Sequence, residues 1–234
     1  MATVVLIRHG RTTANSSGVL AGRAAGVHLD EAGREQAARA GERLAQVPLR
    51  ELVTSPLVRC RETAAAVAAA QSAPLSLVED RGLIECDYGE WSGEKLTELG
   101  KLPLWKVVQN QPSAAVFPGG EGLLQMQQRA VAAIRGRDRD LTAQHGADTV
   151  WAAVSHGDLI KSILADALGM HLDQFQRLHV DPASISIIRY HEQRPQVLAM
   201  NTHAGPLDWL KPAPGKGQDS GDAAVGGGAG PETQ

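Results

Sequence analysis

The chain has 234 residues, of which 23 are basic and 26 acidic, for a formal charge of −3 at neutral pH. That balance excludes a basic face for nucleic acid, and an aromatic content of 3% excludes platforms for stacked bases. There is no run of about 18 apolar residues to cross a membrane; with two cysteines, Cys60 and Cys86, and no leader pattern, the composition points to a cytoplasmic protein with free thiols.

In chain order, Val4-Val5-Leu6-Ile7 reads as a buried strand that ends abruptly in Arg8-His9-Gly10, ahead of a polar loop with Thr12 and Asn15. Gly10 is expected to let the backbone turn and approach a ligand. Asp30 is placed to cap a helix whose Gly33, Ala37, Ala40, Leu44 and Val47 recur at helical spacing. Leu52-Val53-Thr54 predicts a second strand, with Ser55 as N-cap and Pro56 at the first helical position, which puts Arg59 in the opening turn. Leu57, Cys60, Ala64, Val67 and Ala68 form the narrow apolar face of that helix, and Leu75–Val78 suits a short strand. Residues 86–120 break the strand–helix rhythm around a helical piece near Leu96–Val108, punctuated by Pro103, Pro112 and Pro118, and read as an insertion over the active edge. Trp91 and Trp105 read as packing residues within it.

A long helix is predicted from about Gly122 to His145. The apolar strand Thr149–Val154 follows, ending in Ser155-His156-Gly157-Asp158, and then a helix Leu159–Leu168 closed by Gly169. Ser184–Tyr190 and Gln196–Met200 complete the sheet. From Lys211, Gly, Pro, Ala and Asp dominate, so residues 211–234 are expected to be a disordered tail beside a single domain over 1–210. Alternating strands and helices predict an α/β fold, a three-layer α/β/α sandwich with a mostly parallel central sheet.

Three strand-to-helix junctions thus bring Arg8, His9, Arg59 and His156 to one sheet edge, where ligands bind in such folds. Guanidiniums grip oxyanions with a planar fork of donors, imidazoles work near neutral pH, and the helix opening at Gly157 favours anions. Displacement at phosphorus needs a nucleophile, charge compensation and a proton donor, and this set supplies the first two. On residue chemistry alone either histidine could attack. Two arginines and a histidine stand where phosphoryl-transfer enzymes use Mg²⁺; no metal-ligand spacing is visible and no cofactor is called for. The remaining histidines, His28, His145, His171, His179, His191 and His203, read as surface or satisfied polar residues, and Arg61 as an exposed helical residue.

Four blocks carry a resemblance: Arg8-His9-Gly10-x-Thr12-x-x-Asn15, Ser55-Pro56-x-x-Arg59-x-x-x-Thr63, Leu83-x-Glu85-x-x-x-Gly89-x-Trp91-x-Gly93, and Ser155-His156-Gly157. In this order they resemble the histidine phosphatase superfamily, which includes phosphoglycerate mutases and acid phosphatases, over roughly residues 3–200. The narrower likeness is to actinobacterial members labelled phosphomutases or acid phosphatases. The resemblance implies a phosphoglycerate mutase-like fold, attack by His9 and phosphate contact by His156. It also implies proton donation by Glu85, held protonated by the charge of the phosphate, and phosphate or substrate contacts from Arg8, Arg59, Thr12, Asn15, Arg23 and Gly157. It further implies a small phosphorylated metabolite as partner. A homodimer is common among relatives, but no interface pattern here compels one. Family mutases carry a longer basic insertion with an adjacent arginine pair. Here Lys101–Asn110 has two lysines and no arginine, which favours a phosphomonoester hydrolase over a phosphomutase. Phe117-Pro118-Gly119-Gly120-Glu121 resembles phosphatase-branch members, with Gly122 where a serine is usual. A third reading, a silent phospho-ligand-binding module, is disfavoured by the intact set Arg8, His9, Arg59, Glu85 and His156.

Overall fold

Residues 2–203 and 225–228 are described in the computed structural model. Strand β1 (Thr3–Arg8) turns Val4 and Leu6 to one face of the sheet and Val5 and Ile7 to the other, and both faces are covered. After β1 come a single-turn helix α1 (Thr13–Ser16) and helix α2 (Glu31–Leu44), where Asp30 caps the Gly33 N–H as its position predicts. Strand β2 (Leu49–Thr54), helix α3 (Val58–Ala69) and strand β3 (Leu77–Glu79) complete the first half. The insertion contributes α4 (Leu96–Leu99) and α5 (Pro103–Asn110). Then follow α6 (Leu123–His145), β4 (Val150–Ser155), α7 (Gly157–Ala167), β5 (Ile185–Arg189) and β6 (Gln196–Thr202).

The sheet order is β3-β2-β4-β1-β5-β6. Strands β1 to β4 run parallel, while β5 is antiparallel to β1 and β6 to β5. Val5, Ile7, Leu52, Ala152 and Val154 pack with Cys60, Ala64 and Val67 of α3 on one face. On the other, Val4, Leu6, Val53, Trp151 and Ala153 meet Met126, Ala130 and Ile134 of α6 and Ile160, Ile163 and Leu164 of α7. This is the three-layer α/β/α arrangement. The insertion packs into that second core: Trp91 stacks on Trp105, and Phe117 meets both Trp91 and Tyr88 edge-on. Only its Leu96 and Tyr88 reach the pocket described below. Among the described residues no helix is long and apolar enough to cross a membrane.

Several expectations need correction. Helix α3 starts at Val58 with Leu57 in the cap position, not at Pro56; the Ser55 hydroxyl accepts from the Leu57 N–H at 3.4 Å and from His156 Nε2 at 2.8 Å. The helical piece near Leu96–Val108 is two helices, broken before Pro103, which cannot continue a helix from its own N-terminal side. Gly10 does not make room for a ligand: a Cβ there would lie 2.3 Å from the Gly33 carbonyl oxygen, so it permits the start of α2 to press against the loop after β1. Of the segment expected to be a disordered tail, residues 211–224 and 229–234 lie outside the described residues. Val225–Gly227 form a 3₁₀ turn against the domain, with the Val225 side chain buried and Gly226 at φ +73°.

Candidate active site

Arg8 and Ser155 are register partners at the ends of β1 and β4, so His9 and His156 leave the sheet side by side. The His9 N–H donates to the Ser155 carbonyl at 2.9 Å, and the two imidazoles meet edge to face with centroids 5.3 Å apart. On the other side of β4, the Ser55 N–H donates to the Val154 carbonyl at 3.0 Å, which delivers α3 and Arg59 to the same edge. Adjacent parallel strands thus gather residues about 50 and 100 positions apart in sequence, at the carboxyl ends where such sheets bind ligands.

Proton positions follow from the partners. The His9 Nδ1 lies 2.7 Å from the Gly10 carbonyl, which only accepts, so Nδ1 carries the hydrogen and Nε2 keeps its lone pair. Nε2 receives one long contact, 3.3 Å, from Arg59 Nε. His156 has the opposite arrangement. Arg59 Nη2 donates to its Nδ1 at 3.2 Å, and its Nε2–H donates to the Ser55 hydroxyl at 2.8 Å. Burial, then the charge of Arg59, holds both imidazoles well below their ordinary pKa, so both are neutral at pH 7. Arg59 also donates to the Gly22 carbonyl at 2.8 Å, while its buried Nη1 has no hydrogen-bond partner among the described residues. Leaving such a donor unpaired is costly, of order 1–3 kcal/mol, and an anion is the natural group to satisfy it.

Arg8 is fully buried. Its Nη1 donates to the Val180 carbonyl at 2.9 Å, and its Nη2 donates to the Gly228 carbonyl at 2.6 Å and the Gly226 carbonyl at 3.4 Å. Burial lowers it to about 10, against the pull of Asp181, and it remains a cation at neutral pH. Glu85 is also buried. Its Oε1 accepts from the Cys86 N–H at 2.9 Å, and its Oε2 lies 3.8 Å from His156 Nδ1, a contact with a neutral ring. Burial and then nearby Asp158 raise the Glu85 carboxyl to about 7, with Arg59 opposing. Asp158, the first-turn residue of α7, takes the Tyr88 hydroxyl and the Gly226 N–H at 2.8 Å each on Oδ2, and pairs with Lys161 at 2.9 Å on Oδ1.

Thr12 and Asn15 form the capping box of α1: the Thr12 hydroxyl donates to Asn15 Oδ1 at 2.8 Å, and the Asn15 N–H donates back at 3.2 Å. With Oδ1 so engaged, the amide Nδ2 is the end of Asn15 left for the pocket. His9, Thr12, Asn15, Arg59 and Glu85 all line that pocket, and Val19, Leu20, Ala21 and Leu96 supply apolar lining. Val225, Gly226 and Gly228 line it too, and the space left is about 20 Å³, room for one water. His156 and Arg8 stand behind the lining residues, and Gly157 opens α7 behind the imidazole without reaching the pocket.

Arg23 departs from the sequence expectation. Its nitrogens are engaged by the Glu85 carbonyl at 2.9 Å, Asp87 at 3.1 Å and Glu121 at 2.9 Å, and it does not line the pocket. Asp158 and Lys161 also belong to the site, and their i,i+3 spacing directly after Ser155-His156-Gly157 is the signal in the sequence that marks them. No local signal marked Val225–Gly228. Cys60 lies 3.5 Å from His156 Nε2, but burial pushes its thiol up to about 12, so it is an inert packing residue. His179 and His203 both hold Asp181, at 2.8 and 3.0 Å, as satisfied polar residues. Among the described residues no group of three or more His, Cys, Asp or Glu is placed to hold a metal ion.

A family model described as the histidine phosphatase superfamily (branch 1) matches residues 4–203. Phosphoserine phosphatase 1 of Hydrogenobacter thermophilus is 30% identical over 203 residues, covering 86% of this chain and 92% of its own. Bifunctional protein Rv2228c of Mycobacterium tuberculosis is 34% identical over 190 residues, 80% of this chain and 50% of that protein. The chain thus spans about half the length of that protein and of two further relatives from Mycobacterium bovis and Mycobacterium tuberculosis. Among solved structures, Bacillus stearothermophilus YhfR superposes with a TM-score of 0.75 at 27% identity, over 85% of this chain and 96% of that one.

Proposed function

The chain belongs to the histidine phosphatase superfamily, and from that membership we propose that it hydrolyses small phosphate monoesters through a phosphohistidine on His9. The observation that carries this reading is the fixed tautomer of His9. Its Nδ1–H is committed to the Gly10 carbonyl, which leaves a neutral Nε2 lone pair at the pocket beside Arg59. His156 cannot play that part without giving up its bonds to Ser55 and Arg59, so its role is to hold the Arg59 guanidinium.

In the proposed reaction, His9 Nε2 forms a bond to phosphorus as the bond from phosphorus to the ester oxygen breaks. Arg59, whose Nη1 has no partner among the described residues, and Arg8 compensate the charge on the equatorial oxygens, and Asn15 Nδ2 adds a donor. Glu85 gives its proton to the departing oxygen. The resulting carboxylate then takes a proton from the water that attacks phosphohistidine, which releases inorganic phosphate and restores both groups. A carboxyl raised to about 7 is placed to serve in both directions near neutral pH. The apolar lining from Val19, Leu20, Ala21 and Leu96 favours esters whose leaving group has an uncharged, partly apolar surface. For the phosphate to reach Arg8, the carbonyls of Gly226 and Gly228 must give way, neutral acceptors exchanged for a charged one.

The test is hydrolysis of p-nitrophenyl phosphate by the full chain beside His9→Ala, with acid-quenched protein analysed for phosphohistidine. The wild-type chain is expected to turn over and His9→Ala to lose at least about a thousandfold in kcat. Equal activity in both, or conversion of 3-phosphoglycerate to 2-phosphoglycerate without free phosphate, overturns the hydrolase reading.

A further inference from the structure

The main-chain carbonyl of Glu85 accepts two hydrogen bonds from guanidiniums of distant segments: Arg23 Nε at 2.9 Å and Arg129 Nη2 at 3.1 Å. Arg129 comes from α6 and Arg23 from the loop between α1 and α2. The same two side chains grip the loop on either side of Glu85. Arg129 Nη1 donates to the Gly82 carbonyl at 2.9 Å, and Arg23 Nη1 pairs with the Asp87 carboxylate at 3.1 Å. Glu121 ties the pair together. Its Oε1 accepts from Arg23 at 2.9 Å, from Arg129 at 2.6 Å and from the Asp87 N–H at 2.9 Å, while its Oε2 accepts from Arg129 Nε at 3.0 Å. Burial opposes the charge on Glu121, but the hydrogen bonds from Arg129 and the Asp87 N–H, together with the charges of Arg129 and Arg23, outweigh it and the carboxyl stays ionised. Two cations thus face two carboxylates, and the group is close to neutral overall.

We propose that Arg129 and Arg23 are positioning residues for the acid–base group: they clamp the backbone of Glu85 so that its carboxyl is aimed into the pocket. The inference rests on the proposed role of Glu85. Its physical reason is that a proton donor cannot be held in place by a cation on its own carboxyl without losing its proton, since an opposite charge there favours the ionised form. The Glu85 carboxyl accordingly has one hydrogen bond from within the described residues, the neighbouring Cys86 N–H. Its direction is therefore set by the backbone. Gripping the carbonyl with guanidiniums already neutralised by Glu121 and Asp87 separates placement from acidity. It also accounts for Arg23, which the sequence places in a substrate-contacting loop but which the fold turns away from the pocket.

The test compares full-length Arg129→Ala, Glu85→Gln and the double variant on p-nitrophenyl phosphate, whose leaving group departs without help, and on glycerol phosphate, whose alkoxide needs a proton. A displacement of order 1 Å in a reacting group costs about a hundredfold. Arg129→Ala is expected to lower kcat/KM, which reports phosphoryl transfer to His9 and not the later hydrolysis common to both substrates, by about that factor on glycerol phosphate and much less on p-nitrophenyl phosphate. In the Glu85→Gln background the same change is expected to add nothing. Equal losses on both substrates, or losses that multiply with those of Glu85→Gln, would make Arg129 merely structural and overturn the proposal. If Glu85→Gln discriminates between the two substrates and Arg129→Ala does not, the clamp fails while the role of Glu85 stands. If Glu85→Gln itself does not discriminate, both fail. Should Arg129→Ala not fold, Arg23→Ala removes one of the two bonds to the same carbonyl at a more exposed site, and the same substrate selectivity at smaller amplitude is required of it.

Discussion

Glu85 and Asp158 stand beside the same pocket, 3% and 1% exposed, and yet their carboxyls move in opposite directions. Burial raises both. In Asp158 the effect is overcome by Lys161, first by charge and then by hydrogen bond, with the Gly226 N–H and Tyr88 hydroxyl adding to it, so the carboxylate is held below its usual range. Among the described residues Glu85 has only the Cys86 N–H at close range, and the charge of Asp158 adds to burial rather than opposing it. Depth therefore does not decide which acid keeps its proton; the number of donors touching the oxygens does. The ionised Asp158 helps to hold the proton on Glu85, a division of labour seen wherever one site needs one charged and one neutral carboxyl.

The strongest way to break this contrast is Lys161→Met, which leaves the Asp158 charge buried without its cation. Removing one partner of a buried pair costs about 3–5 kcal/mol. Urea denaturation at pH 7 should show a loss of that size, shrinking as the pH is lowered and Asp158 takes up a proton. A loss below about 1 kcal/mol would mean that Tyr88 and Gly226 suffice.

Next in size is the pH dependence carried by Glu85. Its folded pKa, about 7, lies above the ordinary 4.5, so the native state holds the proton more tightly than the unfolded chain. The associated stability is complete below pH 4.5 and is lost as pH rises through 7, about 3 kcal/mol in all. Relative to wild type, Glu85→Gln should therefore gain stability between pH 5 and pH 8. In activity the sign is the same: kcat/KM for an alkyl phosphate should fall above about pH 7, and no such limb should remain in Glu85→Gln. A flat wild-type profile through that range would show that the proton on Glu85 is not used.

The smallest effect concerns the Asp158 side. Ending the chain after His203 removes the Gly226 N–H from Asp158 and two carbonyls from Arg8. KM for p-nitrophenyl phosphate is expected to fall by about three- to tenfold, the value of one or two modest hydrogen bonds exchanged for phosphate. A higher KM would show instead that Val225–Gly228 help to hold the substrate.

Much of this site could be read from the chain because its residues sit at strand ends, where local pattern is strongest. Val4–Ile7 and Thr149–Val154 are apolar runs bounded by charged or polar residues, and the placement of Arg8, His9 and His156 follows from them. Arg59 followed from Ser55-Pro56 even though the helix begins two residues later. Glu85 rested on resemblance, since the loop that carries it has no periodicity. From the sequence Arg23 reads as a substrate contact, because nothing local reveals that Asp87, Glu121 and the Glu85 carbonyl converge on it. Val225–Gly228 lie in a Gly-rich stretch whose composition is that of a chain that does not order itself, and these four residues pack on a surface that other segments supply.

The sequence by itself determined the alternation of strands and helices, the apolar faces that make a two-sided sheet, and the residue types gathered at its carboxyl edge. These depend on spacing and side-chain character, which are local properties. The tertiary structure alone decided which nitrogen of His9 is free, which buried acid keeps its proton, and what grips the backbone of Glu85. Hydrogen bonds act within about 3 Å and desolvation depends on everything packed around a group, so both are settled only when distant segments arrive at the same place.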